Sequence, residues 1–320
     1  MSTVQEAGGR PAVKKKRVSW IRDISRNPFS YLLVLPAMAY VVIFNYLTLP
    51  YILMAFQKYN YKNGLFGSEF IGFKNFEFFF VSARASLVTF NTIFLNVLFI
   101  SSGTVVAVTL ALLLNELRGK LFLRVAQSSL LFPNFISWVI VSYIAYAFFS
   151  TQYGWLNTVW KAVGATPVNM YANADYWPFA LSIIRLWKGM GMSSVIYMAS
   201  ITGFDEGLYE AAKIDGATRL QQTFYITLPL LTPTICILTL LSIGRIFYGD
   251  FQMIYALVGD NGILMRTTDV IDTYVFRALR QTGDPANAMA VGLYQALVGF
   301  VMVFFSNKLV RKFFPEGAIF

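Results

Sequence analysis

The chain has 320 residues, of which 57% are hydrophobic and only 13% are charged. Soluble globular domains average about 25% charged residues, so this composition excludes an ordinary soluble protein and indicates an integral membrane protein. The formal net charge is +10, there is no histidine, and the single cysteine, Cys236, lies in an apolar segment. The composition thus excludes HExxH zinc chemistry, Ser/His catalytic pairs and a disulfide framework within the chain.

A basic arm at residues 1–30 precedes the first apolar segment. Its cations are Arg10, Lys14, Lys15, Lys16, Arg17, Arg22 and Arg26. The apolar segment from Tyr31 is too long for the hydrophobic region of a signal peptide and lacks a small-residue cleavage pattern, so we expect the arm to be retained. KKKR is also compatible with a nucleic-acid role, but beside a membrane span it is more typical of a flank that contacts anionic lipid headgroups. We expect membrane lipid as a partner and no nucleic acid.

Six apolar segments are each long enough to cross a bilayer. Because a helix rises about 1.5 Å per residue, about 20 residues span the ~30 Å hydrocarbon core. The predicted spans are 31–57, 87–114, 125–150, 178–202, 229–258 and 288–308. We therefore predict an all-α integral membrane protein, with a six-transmembrane-helix bundle at 31–312 and a C-terminal tail at 313–320.

The distribution of lysine and arginine predicts the orientation of the bundle. On the side of the N-terminal arm these residues lie in short loops, whereas on the other side they are spread over three much longer loops. The cations that share the side of the arm are Arg118, Lys120, Arg124, Lys213, Arg219, Lys308, Arg311 and Lys312. The positive-inside rule then places both termini and the loop at 203–228 in the cytoplasm.

That loop reads LYEAAKIDGATRLQQTFYITLPLLTP from Leu208 onward, and its pattern predicts a helical hairpin outside the membrane. Asp205 or Glu206 can cap the first helix, along which small and apolar side chains recur at helical spacing. Gly216 permits a left-handed turn, and a second short helix is expected to end where Pro229 opens the next span. From physical reasoning alone, an amphipathic connector resting on the headgroups is an equal alternative.

The hairpin resembles the EAA motif of the permease subunits of bacterial ATP-binding-cassette (ABC) importers. Glu210-Ala211-Ala212 is followed after three residues by Gly216 and later by ITLP. The segments NPFSYLLVLPAMAYVVIF, IGFKNF, FPNFISWVIV and AVGLYQALVGFVMVFFSNKLVRK are similar to the oligosaccharide and polysaccharide branch. The resemblance covers 27–312 and implies the type I ABC importer permease fold and import of an oligosaccharide. The alternatives are an ABC importer subunit for another polar solute and a secondary transporter.

The resemblance also implies how the hairpin works. Glu210 is expected to contact a basic residue of a separate ATP-binding subunit, and Gly216 is expected to make the bend. The expected coupling residues are Glu210, Ala211, Ala212, Asp215, Gly216 and Ala217. Asp205 departs from the pattern, because many relatives carry a proline there. The chain contains no GxxxxGK[ST] phosphate loop, so ATP and Mg are expected on the partner, and we predict no catalytic residue, metal or cofactor in this chain.

Further partners follow from the same resemblance. It implies two ATP-binding subunits, a second homologous permease subunit and an extracytoplasmic sugar-binding protein. A heterodimer of permeases is the expectation, and the sequence leaves an identical pair open. Closure of the ATP-binding subunits would drive alternating access through the hairpin.

Charged residues within the predicted spans mark a candidate substrate path. A charge at such a depth costs at least about 2.5 kcal/mol, so each should face a wet cavity or a partner charge. Arg185 and Lys188 are three residues apart and should share a helix face, and Arg245 should lie well inside the next span. By position, the substrate contacts of the related maltose permease map near these residues. The resulting path residues are Arg185, Lys188, Gly189, Ser242, Arg245, Tyr248 and Gly249.

Two interpretations of these cations stay open. Asp250, or an acidic residue of a partner subunit, would neutralise them in a structural ion pair. Alternatively they form a basic path for an acidic, uronate-containing oligosaccharide, because guanidinium and ammonium groups complement carboxylates. A proton-driven transporter would need a relay of buried carboxylates or histidines, and only Asp250 is predicted as an acidic residue within a span.

Overall fold

The structure is a computed structural model that describes residues 26–117 and 119–313. The predicted N-terminal arm lies outside the described residues except for 26–30, and the predicted C-terminal tail lies outside them except for residue 313. The chain divides into two compact units, and the first ends at Ile52.

The described part of the first unit is an apolar helix. It begins as α1 (Pro28–Val41), where Pro28 occupies a first-turn position that needs no N–H donor. A π-turn at Val42–Tyr46 follows, and 3-10 turns at Leu49–Phe56 lead into the second unit. Together Pro28–Phe56 forms 29 residues of sufficient length and apolarity to cross a membrane, in agreement with the first predicted span.

The second unit begins with a small hairpin that sequence reasoning did not predict. β1 (Gln57–Lys58) pairs antiparallel with β2 (Glu69–Phe70), with α2 (Gly64–Gly67) between them. α3 (Lys74–Phe80) follows, and the buried side-chain amide of Asn75 donates to three backbone carbonyls, from residues 54, 55 and 57. These short strands are a minor addition to a chain whose described residues are mostly helical.

Twelve further α-helices are described in the second unit. In chain order they are α4 (Ala85–Asn115), α5 (Lys120–Leu131), α6 (Trp138–Phe149), α7 (Trp155–Ala162), α8 (Trp177–Ile201), α9 (Glu206–Ile214), α10 (Arg219–Gln222), α11 (Leu228–Ile243), α12 (Phe251–Val258), α13 (Met265–Thr268), α14 (Ile271–Thr282) and α15 (Pro285–Phe313).

Within the described residues, length and apolarity identify most of the predicted spans. Four helical stretches pass this test, namely Pro28–Phe56, Ala85–Asn115, Arg219–Ile243 and Pro285–Lys312, and the bent pair α5 and α6 gives a fifth. The remaining predicted span, 178–202, corresponds to α8, which has 25 residues and the required length. Arg185 and Lys188 lower the hydropathy of α8, so it is not identified by apolarity.

Two of the predicted spans are not single continuous helices. The span predicted at 125–150 bends by 98° between Phe135 and Trp138. The span predicted at 229–258 leaves the helix after Ile243 and resumes as α12 only at Phe251. The overall apolarity of each segment indicated a span but not where the backbone stops being helical.

Buried amide side chains form hydrogen bonds with the non-helical backbone at 244–250, the second break. Asn96 of α4 donates to the carbonyl oxygens of Ile246 and Tyr248, each at 3.0 Å. Gln295 of α15 donates to the carbonyl oxygen of Phe247 at 2.6 Å. Non-helical backbone at membrane depth requires such partners, because unsatisfied carbonyls in hydrocarbon cost several kcal/mol each. The packing of the bundle therefore stabilises the break.

The parallel helices α4 and α8 form the centre of the second unit. In their N-terminal halves Leu95 and Leu181 belong to one buried cluster, and towards their C-termini Ala111 and Ile201 belong to another. α8 also passes very close to α5, because a Cβ atom at Gly191 would lie 2.0 Å from a backbone oxygen of α5. Between the two clusters the facing side chains include polar ones, such as Ser102, Thr104 and Ser193, and this region holds the candidate site.

Candidate functional site

A cavity of about 740 Å³ lies between α4, α8 and the break that follows α11. Arg185 stands eight residues after the start of α8, which corresponds to about 12 Å along the helix axis, so the cavity reaches the middle of the span. Its uncharged polar side chains include Asn96, Ser193, Tyr197, Ser242, Tyr248 and Gln252. A cavity of this size and polarity can hold several sugar hydroxyl groups.

Most of the predicted path residues line this cavity. They are Arg185, Gly189, Ser242, Arg245, Tyr248 and Gly249. Lys188 is placed elsewhere, because its Nζ donates to the carbonyl oxygen of Asn134 at 2.8 Å and lies 5.1 Å from the ring of Trp138. Asn134 belongs to the turn where α5 and α6 bend. Lys188 therefore satisfies a backbone acceptor at that bend instead of sharing the cavity with Arg185.

Arg185 forms an ion pair within the bundle. Its Nη1 lies 3.0 Å from Oδ2 of Asp250, and its guanidinium lies 4.8 Å from the ring centroid of Phe99. The other carboxylate oxygen of Asp250 accepts from the backbone N–H of Met253 and caps α12. The pair joins α8 to the start of α12, so the structural interpretation applies to Arg185.

Arg245 differs from Arg185 in both position and pairing. It belongs to the break in the predicted span, because α11 ends at Ile243. Its side chain is exposed and lines the cavity, and within residues 26–117 and 119–313 its guanidinium has no hydrogen bond or ion pair. An unpaired guanidinium beside Ser242 and Tyr248 can bind a carboxylate through charge-assisted hydrogen bonds.

Sequence reasoning missed Asp272, an acidic residue that accepts a hydrogen bond from the backbone near the end of the break. Oδ2 of Asp272 accepts from the backbone N–H of Gly249 at 2.5 Å and from Nε2 of Gln295 at 3.2 Å. Burial raises the pKa of the Asp272 carboxyl, and these hydrogen bonds act in the opposite direction. Asn96 and Gln295 were detectable in principle, since an amide inside an apolar span usually has a defined partner.

The hairpin predicted at 203–228 starts and turns where its local signals indicate. Asp205 is the N-cap of α9 and accepts from the backbone N–H of Gly207 at 2.9 Å. Gly216 has φ of 78°, in the left-handed region that glycine adopts without strain. Thr218 and Gln221 then form a capping box that begins α10.

The second helix of the hairpin continues into the membrane, and the prediction of a separate short helix was wrong. A π-turn at Thr223–Thr227 joins α10 to α11, so that Arg219–Ile243 is one stretch of 25 residues. This wider turn ends at Thr227, and Pro229 lies in the first turn of α11, where a proline is tolerated. Tyr209 of α9 bonds this turn, with its Oη 3.0 Å from Oγ1 of Thr227.

The hairpin presents an unpartnered surface. Glu210, Ala211, Asp215 and Gly216 are exposed, whereas Ala212 and Ala217 are half-buried. Large apolar side chains lie beside them, with Ile214 87% exposed and Leu220 68% exposed. Exposed apolar side chains around a carboxylate are typical of a protein-binding surface.

Helices that cross a membrane, a central polar cavity and a protruding hairpin together define a membrane-spanning transport subunit. Residues 103–314 match the family of binding-protein-dependent transport system inner membrane components. The chain belongs to this family. It is a permease subunit of an ABC importer, as the EAA motif predicted.

Relatives and solved structures cover nearly the whole chain. The polygalacturonan/rhamnogalacturonan transport system permease protein YteP of Bacillus subtilis is 34% identical over 95% of this chain and 94% of its own length. Protein LplB of the same organism is 31% identical over 99% of both chains. In the crystal structure of a bacterial alginate ABC transporter in complex with an alginate pentasaccharide-bound periplasmic protein, one chain is 31% identical, with a TM-score of 0.81 over 92% of this chain and 98% of its own.

Proposed function

We propose that this permease carries an acidic, uronate-containing oligosaccharide through the cavity between α4, α8 and α11. The unpaired guanidinium of Arg245 carries this proposal, because it lies in a polar cavity and has no acidic partner among the described residues. Arg185 contributes less charge, since Asp250 neutralises it. The names of a polygalacturonan/rhamnogalacturonan permease and of an alginate transporter among similar proteins support an acidic substrate.

Arg245→Gln tests the substrate proposal. A charge-assisted hydrogen bond is worth about 1.5–3 kcal/mol, so we expect kcat/KM for tetragalacturonate to fall about tenfold to a hundredfold. Uptake of a neutral galactose tetrasaccharide should change less than about threefold, because it forms no charge-assisted bond with this residue. Uptake into proteoliposomes, normalised to assembled complex, gives both values.

Arg245→Lys is the matched variant, because it keeps the positive charge at the same place. It should retain most of the preference for the acidic sugar, although it loses the bidentate geometry of arginine. Equal losses for acidic and neutral sugars in Arg245→Gln would refute the acidic-substrate proposal and leave a general role for Arg245 in holding the break.

We further infer that the hairpin binds a separate ATP-binding subunit, which holds the ATP and Mg. The proposed complex contains two such subunits, a second homologous permease in a heterodimer and an extracytoplasmic sugar-binding protein. The continuous stretch Arg219–Ile243 supports this coupling, because it connects the hairpin directly to Ser242 at the cavity. The ion pair of Arg219 with Glu116, at 2.8 Å, ties the same stretch to the end of α4. Motion of the hairpin would therefore reach two walls of the cavity.

The proposed orientation has both termini and the hairpin in the cytoplasm. Lys213 in α9 and Asn169 before α8 are exposed and lie at opposite ends of the bundle in this arrangement. Cysteines at these positions, in a Cys236→Ser background, should react with a membrane-impermeant maleimide from opposite sides. Only Asn169→Cys should be labelled in intact cells, and both should be labelled after permeabilisation. Labelling of both in intact cells would contradict the orientation.

A further inference from the structure

A second concave pocket, of about 430 Å³, lies where α4 begins and α12 and α14 meet. Arg84, Arg277 and Arg280 line it together with Asp260. In the proposed orientation this is the extracytoplasmic end of the bundle, since α4 runs from here towards the cytoplasmic hairpin. Three guanidinium groups around one pocket indicate an anionic ligand.

The three arginines are not equivalent. Arg277 is bonded to Asp269, which is only 1% exposed, so this pair is structural. Arg280 pairs with Asp260 at 3.2 Å, and both side chains are about half exposed. Exposed ion pairs of this kind contribute little stability, so the Arg280 guanidinium can exchange partners. Arg84 is exposed, and in the part of the chain that the structure describes its guanidinium has no hydrogen-bond or ion-pair partner.

Aromatic side chains connect this pocket to the central cavity. Arg280 donates to Oη of Tyr255 at 3.0 Å and lies 5.8 Å from the ring centroid of Phe276. The Tyr255 ring stacks on that of Phe251, with 5.3 Å between centroids, and Phe251 lines the cavity. All three rings are half-buried, so part of their surface is accessible. Aromatic surfaces with polar edges suit sugar rings, which have apolar faces and hydroxyl rims.

We propose that this second pocket, called the outer pocket below, is a second subsite for the same oligosaccharide. A uronate carboxylate binds Arg84 and Arg280 there. The oligosaccharide passes over Tyr255 and Phe251, and its other sugar units occupy the cavity near Arg245. This subsite rests on the proposed function, since it requires an acidic oligosaccharide. The subsite makes recognition dependent on the length of the oligosaccharide, because only an oligosaccharide that extends out of the cavity reaches the outer pocket.

Length dependence provides the test. In the reconstituted complex with its binding protein, the double variant Arg84→Gln/Arg280→Gln should lower kcat/KM for tetragalacturonate about tenfold. The same variant should leave kcat/KM for digalacturonate within about twofold of wild type, because the shorter sugar does not reach the pocket. Lys161→Gln is the matched control, since it removes an exposed cation of α7 that does not line the pocket.

Other results separate failure of the subsite from failure of the proposed function. If wild type carries tetragalacturonate and the double variant does so equally well, the outer subsite is overturned while the acidic substrate stands. Equal losses for both sugar lengths would also overturn it, and would indicate that the arginines bind an acidic surface of the binding protein. If wild type shows no preference for acidic over neutral tetrasaccharides, both proposals fail.

Discussion

Asp269→Ala should lower the free energy of unfolding by about 3–5 kcal/mol, the usual cost of removing one partner from a buried ion pair. Asp269 is 1% exposed and its side chain accepts from Arg277 and from the Thr273 hydroxyl. The substitution leaves a guanidinium that is 14% exposed without its counter-charge, and it removes one of the two acceptors of the buried Thr273 hydroxyl. Thermal unfolding of the assembled complex in detergent should show a strongly lowered Tm.

Asp175→Ala is the matched control for this prediction. It removes the partner of Arg266 from an ion pair of the same type, but there both side chains are about two-thirds exposed. Exposed pairs contribute about 0–1 kcal/mol, so the Tm should change little. Similar Tm decreases in the two variants would show that burial does not determine the contribution of these pairs.

The sequence predicted the hairpin well where local signals determine the backbone. Asp205 caps α9 and Gly216 adopts the left-handed turn, as their residue types indicated. Both features depend on a few neighbouring residues, so no knowledge of the packing was needed. The helix reaches Pro229 through a π-turn, which has no comparable sequence signal.

The break after Ile243 could not be predicted, because it is stabilised by residues distant in sequence. The backbone after Ile243 is held by Asn96 and Gln295, which belong to other helices. Its own sequence, GRIFYGD at 244–250, contains no proline that would indicate a break. Only the packed bundle shows that the amides face this segment and that the carbonyls have partners.

The sequence predicted most of the path residues that line the cavity, but it did not determine how their charges pair. The sequence placed Arg185, Lys188 and Arg245 near one another and left two interpretations open for all three. The structure separates them, since Arg185 pairs with Asp250, Lys188 bonds the carbonyl of Asn134, and Arg245 faces the cavity unpaired among the described residues. Side-chain direction in a kinked bundle depends on where the kinks are, so helical spacing alone could not distinguish these roles.

Glu210→Lys should abolish the stimulation of ATP hydrolysis by substrate-loaded binding protein. Glu210 is exposed in α9, and the proposed role has it facing a basic residue of the ATP-binding subunit. Reversing its charge places two cations together at a docking surface, which costs several kcal/mol and weakens assembly by orders of magnitude. ATPase activity of the complex in proteoliposomes, together with copurification of the ATP-binding subunit, measures the effect.

Two further variants make the Glu210 prediction specific. Glu210→Gln removes the attraction without adding repulsion, so its ATPase stimulation should lie between those of wild type and Glu210→Lys. Glu69→Lys makes the same charge reversal on an exposed residue of β2, outside the helical hairpin at 203–228, and should leave stimulation unchanged. Wild-type stimulation in Glu210→Lys would refute the assigned contact. Loss of stimulation in Glu69→Lys as well would show that net charge, rather than the docking surface, determines coupling.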